Sequence, residues 1–190
     1  MFISEEQYIR KFNVYSKMVD FDSIRDNRER IKEKRKNEKI QLSIELVPKS
    51  SWFNNVRSNV KKSEWNRIRY VTYGLAEYKC EICDDRGNRH PVECHEVWDF
   101  NNSTKIQTLK GFISLCPLCH EVKHLGLARI RGNHDRAFSR FLELNNLSKH
   151  EGVKQFKFYK EEWKERSKVD WEIDLNILES YKLDVSDRIG

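Results

Sequence analysis

Two pairs of closely spaced cysteines constrain the fold of this chain more than any other feature. Cys80 and Cys83 form one C-x-x-C motif. Cys116 and Cys119 form a second. A turn of this spacing lets two thiolates reach one zinc ion, and two such turns complete its tetrahedral shell. The fifth cysteine, Cys94, stands apart. Because the cysteines are clustered and odd in number, we expect a structural zinc site in a reducing compartment and not a disulfide framework.

The segment between the two motifs predicts a β-hairpin. A turn-rich stretch over 84–89 precedes residues 91–97, which read as a strand. After the second motif, residues 117–125 predict the start of a helix that places His120 and His124 one turn apart on the same face. We therefore expect an inserted structural element between the two cysteine motifs and a helix after the second.

Apolar spacing predicts further elements on both sides of the motifs. The alternation over 40–47 indicates a half-buried strand or extended segment ending at Pro48, and Ser63 is predicted to cap the helix that leads into the first motif. The highly charged run over 27–39 is typical of a solvated helix face or a linker, with a DNA-contacting arm as the alternative. The remaining predictions are a helix over 5–18, a loop over 52–62 anchored by aromatic rings, helices over 135–145 and 152–167, and a strand over 171–175.

Length and charge narrow the class of protein. A chain of 190 residues can form one elaborated domain. Its net charge of +6 and pI of about 9.0 suit a polyanionic partner, although many soluble proteins are equally basic. No apolar run is long enough to span a bilayer, and the N-terminus lacks the apolar core of a signal peptide. We expect a cytoplasmic protein without a membrane partner.

The histidines and a glutamate near the cysteine motifs are suited to a second, hydrated metal. His95 and Glu96 lie in the predicted hairpin, and His120 directly follows the last cysteine of the second motif. Imidazoles ligate divalent metals, and an imidazole with a pKa near 6.5 can also accept a proton from water at neutral pH. These residue types therefore indicate hydrolysis at a metal centre.

The stretches 92–98 and 115–124 resemble the HNH, or ββα-metal, nuclease family, and the resemblance covers Cys80 to His124. The flanking stretches 46–52 and 163–175 are also similar to small bacterial or phage-type HNH proteins with zinc knuckles. By position, the resemblance implies that His95 is the general base and that His120 is a ligand of the catalytic metal. His124 would be a second ligand or a phosphate contact.

The chain departs from the common family pattern at the base. The family places an acidic residue or a second histidine directly before the base and an asparagine later in the hairpin, whereas this chain has Cys94 before His95. Two assignments remain open. In the first, which we favour because histidine titrates near pH 7, His95 is the base and Glu96 is a ligand or orienting group. In the second, His95 is a ligand and the base is another group. Asn101 or Asn102 could take the place of the family asparagine, or both could only form the turn over 99–103.

The resemblance implies an α+β protein with a zinc-stabilised ββα-metal core over 63–130. An N-terminal extension with a charged linker and a strand-like segment (1–62) would precede this core, and a C-terminal helical extension (131–190) would follow it. The implied activity is that of a metal-dependent DNA endonuclease, a phosphodiester hydrolase. It would use structural Zn²⁺ and catalytic Mg²⁺ or another divalent cation. We expect double-stranded DNA as the substrate, and the candidate phosphate contacts are Arg67, Arg69, Lys105, Lys110, Lys123, Arg129 and Arg131.

Two alternatives compete with this prediction. The chain could be a non-catalytic zinc module that binds nucleic acid or protein, with its histidines serving structure. Alternatively, His120 or His124 could replace a cysteine in the zinc shell. Metal content distinguishes the second alternative, because replacing Cys119 should release a four-cysteine zinc whereas replacing His120 should not.

Overall fold

A computed structural model describes residues 4–51, 55–86 and 92–183. Residues 52–54 of the predicted aromatic loop and residues 87–91 of the predicted hairpin region lie outside the described residues. Helices and one small sheet together form a mixed α+β protein. The α+β part of the predicted fold class is therefore confirmed.

Eight α-helices and three strands are found in the described ranges. The helices are α1 (Glu5–Tyr15), α2 (Phe21–Lys36), α3 (Val56–Asn59), α4 (Lys62–Leu75), α5 (Pro117–Lys123), α6 (Leu125–Ile130), α7 (His134–Leu144) and α8 (Lys149–Arg166). The strands are β1 (Glu93–Asn101), β2 (Ile106–Leu115) and β3 (Glu172–Asp174). Short 3₁₀ turns cover Ser16–Met18, Lys49–Ser51 and Asn176–Tyr181.

The sheet is built around the predicted hairpin. Strands β1 and β2 pair antiparallel from Glu93 opposite Leu115 to Asn101 opposite Ile106, with one irregularity after Val97. Strand β3 pairs in parallel with the start of β2. Because β3 comes from the C-terminal part of the chain, that part adds to the same sheet as the hairpin. The predicted division into 1–62, 63–130 and 131–190 stays a prediction.

Two large apolar clusters pack on the two sides of the hairpin. One surrounds the cysteine motifs and includes Leu42, Leu115 and Phe141. The other joins α2 and α4 to the C-terminal 3₁₀ turn around Phe112. Successive residues of β2 point to opposite faces of the sheet, and residues 111–115 are all buried. The second half of this strand is therefore covered on both faces.

Helix α4 begins earlier than predicted. Its N-cap is Lys61 and not Ser63, which lies in the first turn. The reason is Glu64, whose Oε2 accepts a hydrogen bond from the Lys61 backbone N–H at 2.6 Å and so satisfies a donor at the start of the helix. Residues 27–36 of the charged run form the C-terminal part of α2, as the helix interpretation predicted, and residues 37–39 follow the helix.

The alternating segment over 40–47 forms neither a helix nor a strand of the sheet, and residues 41 and 42 form a bend. Leu42 and Ile44 are buried, and the Glu45 N–H donates to the Lys123 carbonyl at the end of α5. The segment therefore lies along α5 and brings the side chain of Glu45 to it.

Among the described helices, none is both long enough and apolar enough to cross a bilayer.

Candidate metal centre

The four motif cysteines converge on one point. The Sγ atoms of Cys80, Cys83, Cys116 and Cys119 all lie within 4.8 Å of one another. The Cys83 Sγ lies 3.7 Å from the Sγ of Cys116 and 3.7 Å from that of Cys119. Two sulfurs bound tetrahedrally to zinc at about 2.3 Å are roughly 3.8 Å apart, whereas a disulfide requires about 2.05 Å. The arrangement fits a zinc ion and excludes a disulfide.

Local structure explains how the second motif reaches this geometry. Cys116 is the N-cap of α5, Pro117 follows at the first helical position, and the Cys119 N–H donates to the Cys116 Sγ at 3.5 Å. Two hydrogen bonds join the first motif to the end of β2. The Glu81 N–H donates to the Ser114 carbonyl, and the Ser114 N–H donates to Glu81 Oε2. Both motifs are thereby held at the end of the hairpin.

The electrostatics of the cysteine group also suit a cation. Hydrogen bonding to Cys116 and Cys80, together with burial, raises the pKa of Cys119 above its ordinary value. Four close thiols cannot all ionise unless a positive charge lies among them, and a bound dication supplies that charge. On the outside, the Arg140 guanidinium contacts Cys83 and Cys119; burial opposes its charge, but these contacts and Glu143 raise its pKa.

Three histidines form a second and separate group. Ligand atoms of His95, His120 and His124 all lie within 4.8 Å of one another. The ring centroids are 5.3 Å apart for His95 and His120, 5.1 Å for His95 and His124, and 4.8 Å for His120 and His124. His95 projects from β1, His120 from α5, and His124 from the C-cap of α5. The structure thus keeps both predicted α5 histidines out of the cysteine group.

Carboxylates orient two of these imidazoles. Glu45 Oε2 lies 2.8 Å from His95 Nε2, and Glu93 Oε2 hydrogen-bonds His120 Nδ1. The other oxygen of Glu45 accepts a hydrogen bond from Lys123 Nζ, which also donates to Ser43 Oγ at 2.9 Å. A carboxylate on one ring nitrogen fixes the tautomer and leaves the other nitrogen to a metal. Nδ1 of His95 and Nε2 of His120 are the nitrogens left in this way.

Burial disfavours the charged forms of His95 and His124. Desolvation is the main cause that lowers the pKa of His95 below its usual range, against the opposing effect of Glu45. Desolvation and the two neighbouring imidazoles lower the pKa of His124 to about 3. Neutral imidazoles carry the lone pairs that bind a metal. Burial of Glu45 acts to raise its pKa, but Lys123 and His95 lower it on balance, so Glu45 is a carboxylate at neutral pH.

Glu96 does not join the histidine group. It follows His95 in β1, so its side chain points to the opposite face of the strand. There its carboxylate accepts hydrogen bonds from the Arg57 backbone N–H at 3.3 Å and from Trp98 Nε1 at 3.0 Å, and burial raises its pKa to about 6. The structure therefore does not support Glu96 as a ligand beside His95.

The asparagines at the end of β1 also lie elsewhere. Asn101 Oδ1 accepts hydrogen bonds from the backbone N–H groups of Ser103 and Thr104, and so closes the hairpin turn. This turn is at the opposite end of β1 from His95. Asn101 therefore has a structural role in the turn, which is a common role for asparagine.

The predicted phosphate contacts divide into engaged and exposed side chains. Lys123 is buried against Glu45, and Arg67 Nη1 donates to the carbonyls of Tyr181 and Lys182, so neither is placed to bind a phosphate. Arg69 is half-buried and stacks on Tyr70. The predicted contacts that are exposed are Lys105, Lys110, Arg129 and Arg131.

Sequence reasoning missed Glu45 and Glu93 as partners of the histidines. Glu93 could have been found, because it lies two residues before His95 and thus on the same face of the strand. Glu45 lies 50 residues before His95 in a segment without a metal-binding pattern. No local signal connects the two.

Comparisons with protein-family models, with curated proteins and with solved structures found no match to this chain.

Proposed function

We propose that the protein is a metal-dependent nuclease that hydrolyses phosphodiester bonds in DNA. The observation that carries this proposal is the convergence of His95, His120 and His124 beside a separate four-cysteine site. Four thiolates close a zinc shell, whereas three protein ligands leave a position for water or substrate. The hairpin of β1 and β2 followed by α5 would then be a ββα-metal core, with the cysteines as its scaffold.

We assign His95 to the metal and not to the base. Its side chain is only 4 % exposed, and its Nε2 is occupied by Glu45. A general base must reach a water molecule through a free nitrogen. Glu45 leaves only Nδ1 of His95, and we assign this nitrogen to the metal because His95 lies in one group with His120 and His124. This arrangement favours the second of the two assignments that the sequence left open.

The donor set favours a transition metal over Mg²⁺. Magnesium prefers carboxylate and water oxygens, whereas imidazole suits zinc, iron, nickel and copper. Among the described residues, no carboxylate belongs to the group of three histidines, and Glu45 and Glu93 instead form hydrogen bonds with the rings of His95 and His120. A bound dication at such a site would lower the pKa of a coordinated water and neutralise charge on a phosphate.

A plasmid-nicking assay tests the proposal. Zinc-loaded protein is incubated with supercoiled plasmid in the presence of Mg²⁺, Mn²⁺, Co²⁺ or Ni²⁺, and we expect nicking with at least one transition metal. The variants His95→Ala, His120→Ala and His124→Ala should each lose on the order of 100-fold or more in rate, because each removes a ligand. His150→Ala is the matched control, since His150 is exposed on α8.

Zinc content must be measured on every variant. If the histidine variants keep one zinc per chain and lose nicking, the two sites are distinct and the histidine site is the catalytic one. Absence of nicking by the wild-type protein with all four metals would favour a non-catalytic zinc module. Full activity in His95→Ala would refute the assignment of this residue to the metal.

A further inference from the structure

We propose that a groove between α4 and β1 binds the phosphodiester backbone of the substrate next to the histidine group, an inference that rests on the proposed function. The groove has a volume of about 500 Å³, and His120 lines one part of it. Three cationic side chains from outside the cysteine and histidine motifs line it as well, namely Arg57, Lys62 and Arg69. We call this surface the α4 groove.

The charge of the α4 groove is unbalanced. Its one lining carboxylate is Glu93, and this carboxylate hydrogen-bonds His120. Arg57 and Lys62 are exposed, and no carboxylate of the described ranges forms an ion pair with either side chain. Uncompensated cations that line a concave surface attract a polyanion and concentrate it there. Phosphate contacts of this kind position a nucleic acid without reading its sequence.

Arg69 is held in place before any ligand arrives. Its Nε donates to Asn66 Oδ1 at 2.9 Å, its Nη2 donates to the Tyr70 hydroxyl at 3.1 Å, and its guanidinium lies 4.6 Å from the centre of the Tyr70 ring. A guanidinium fixed in this way loses little conformational entropy when it binds a phosphate. Arg57 and Lys62 supply charge at the exposed rim.

His120 connects the α4 groove to the proposed reaction centre. Its ring lies in the histidine group and also forms part of the groove wall. A phosphate held by the cations of the groove would therefore have neighbouring phosphates of the same strand within reach of the histidines.

Binding without cleavage tests the α4 groove. Fluorescence anisotropy measures the affinity of zinc-loaded protein for a labelled duplex of about 20 base pairs, with no other divalent metal added, over a series of salt concentrations. The triple variant Arg57→Gln, Lys62→Gln, Arg69→Gln should bind about 10-fold or more weakly near 100 mM salt. Its salt slope should fall by roughly 2 to 3, because each lost phosphate contact removes about 0.9.

A matched triple variant removes three exposed positive charges from α8: Lys154→Gln, Lys157→Gln, Lys160→Gln. Its affinity should stay within about threefold of the wild type. If the loss of Arg69 unfolds α4, the DNA affinities of the exposed single variants Arg57→Glu and Lys62→Glu are compared with that of the wild type instead. Equal weakening by the groove and α8 variants would overturn the proposal. Because no catalytic metal is present, loss of binding in the groove variant supports the groove even if the protein never nicks a plasmid.

Discussion

Glu45 connects the histidine group to a part of the chain that lies far from the motifs. Its carboxylate bridges His95 Nε2 and Lys123 Nζ, and both of these partners are buried. A buried ammonium and a buried imidazole need such a partner, because an unpaired polar group in the interior is costly. The same contacts hold His95 in one orientation. Glu45 therefore contributes both to stability and to the geometry of the proposed metal site.

The variant Glu45→Gln should separate these two contributions. We expect the affinity of the histidine site for Co²⁺ to fall by roughly 10-fold to 100-fold, because the imidazole loses its orienting carboxylate. The free energy of unfolding should also fall, by less than the roughly 3–5 kcal/mol typical of a fully buried pair, since the Glu45 side chain is 34 % exposed. Isothermal titration with Co²⁺ and urea unfolding measure the two quantities.

The double variant Glu45→Gln, Lys123→Met is the control. Removing the ammonium as well should restore much of the lost stability, because no charge then stays unpaired. Metal affinity should stay low. If Co²⁺ affinity recovered together with stability, Glu45 would be a structural residue without a role in orienting His95.

The five cysteines provide a second prediction at the level of single residues. Cys119→Ser should release the zinc and lower the melting temperature strongly, because metal binding contributes to folding. Cys94→Ala should retain one zinc per chain. Cys94 packs against Tyr73 and other apolar side chains away from the cysteine group, and burial raises the pKa of its thiol. Metal analysis of the purified variants checks this, and zinc loss from Cys94→Ala would contradict the assignment.

Among the elements, the contact between α2 and β2 depends on a single glycine. Gly111 has a φ of +146°, and a β-carbon there would lie 2.8 Å from Asn27 Nδ2 and 3.0 Å from Ile31 Cδ1. The neighbouring residue Lys110 is the one skipped by the pairing with β1, and its carbonyl accepts a hydrogen bond from Asn27 at 2.7 Å. The irregularity of the hairpin and the approach of α2 thus meet at one point.

Gly111→Ala should therefore destabilise the protein by roughly 1–3 kcal/mol, since it adds both a clash and an unfavourable backbone conformation. Gly126→Ala is the comparison. Its β-carbon would meet Leu46 at an ordinary 3.7 Å, and alanine in a helix gains up to about 1 kcal/mol over glycine. Urea unfolding of zinc-loaded proteins gives both values. Equal stability of the two variants would show that α2 can move away from β2 without cost.

The sequence predicted the elements better than it predicted their contacts. Apolar periodicity located α1, α4, α7 and α8, and the alternation over 171–175 predicted β3. The charged run of α2 was expected to be solvated, yet Arg28 within it is buried in an ion pair with Glu81 at 2.8 Å. Periodicity describes one element at a time, and this pair joins residues that are distant in sequence. The start of α4 was missed because a glutamate at its third position completes the cap.

For the molecule as a whole, the spacing of donors predicted the four-cysteine group and the nearness of the histidines, but it also placed Glu96 among them, whereas Glu96 contacts Arg57 and Trp98. The four cysteines and the pairing of His120 with His124 follow from short motifs with a fixed local geometry. The metal-ligand role that we propose for His95 rests on its burial and on Glu45, and only the folded chain brings these two residues together. The sequence also could not show that Lys123 is paired with Glu45. Without knowledge of that partner, a lysine near a metal-binding motif is easily taken for a phosphate contact.

The central claim is that the histidine group holds a metal that the nuclease reaction needs, while the cysteine group holds zinc for structure. The most direct test is the initial rate of plasmid nicking by zinc-loaded protein as Co²⁺ is added. We predict that the rate rises and saturates as one further metal binds per chain, and that His124→Ala shows no such saturation while it keeps its zinc. Nicking that is independent of added metal, or identical in His124→Ala, would contradict the claim.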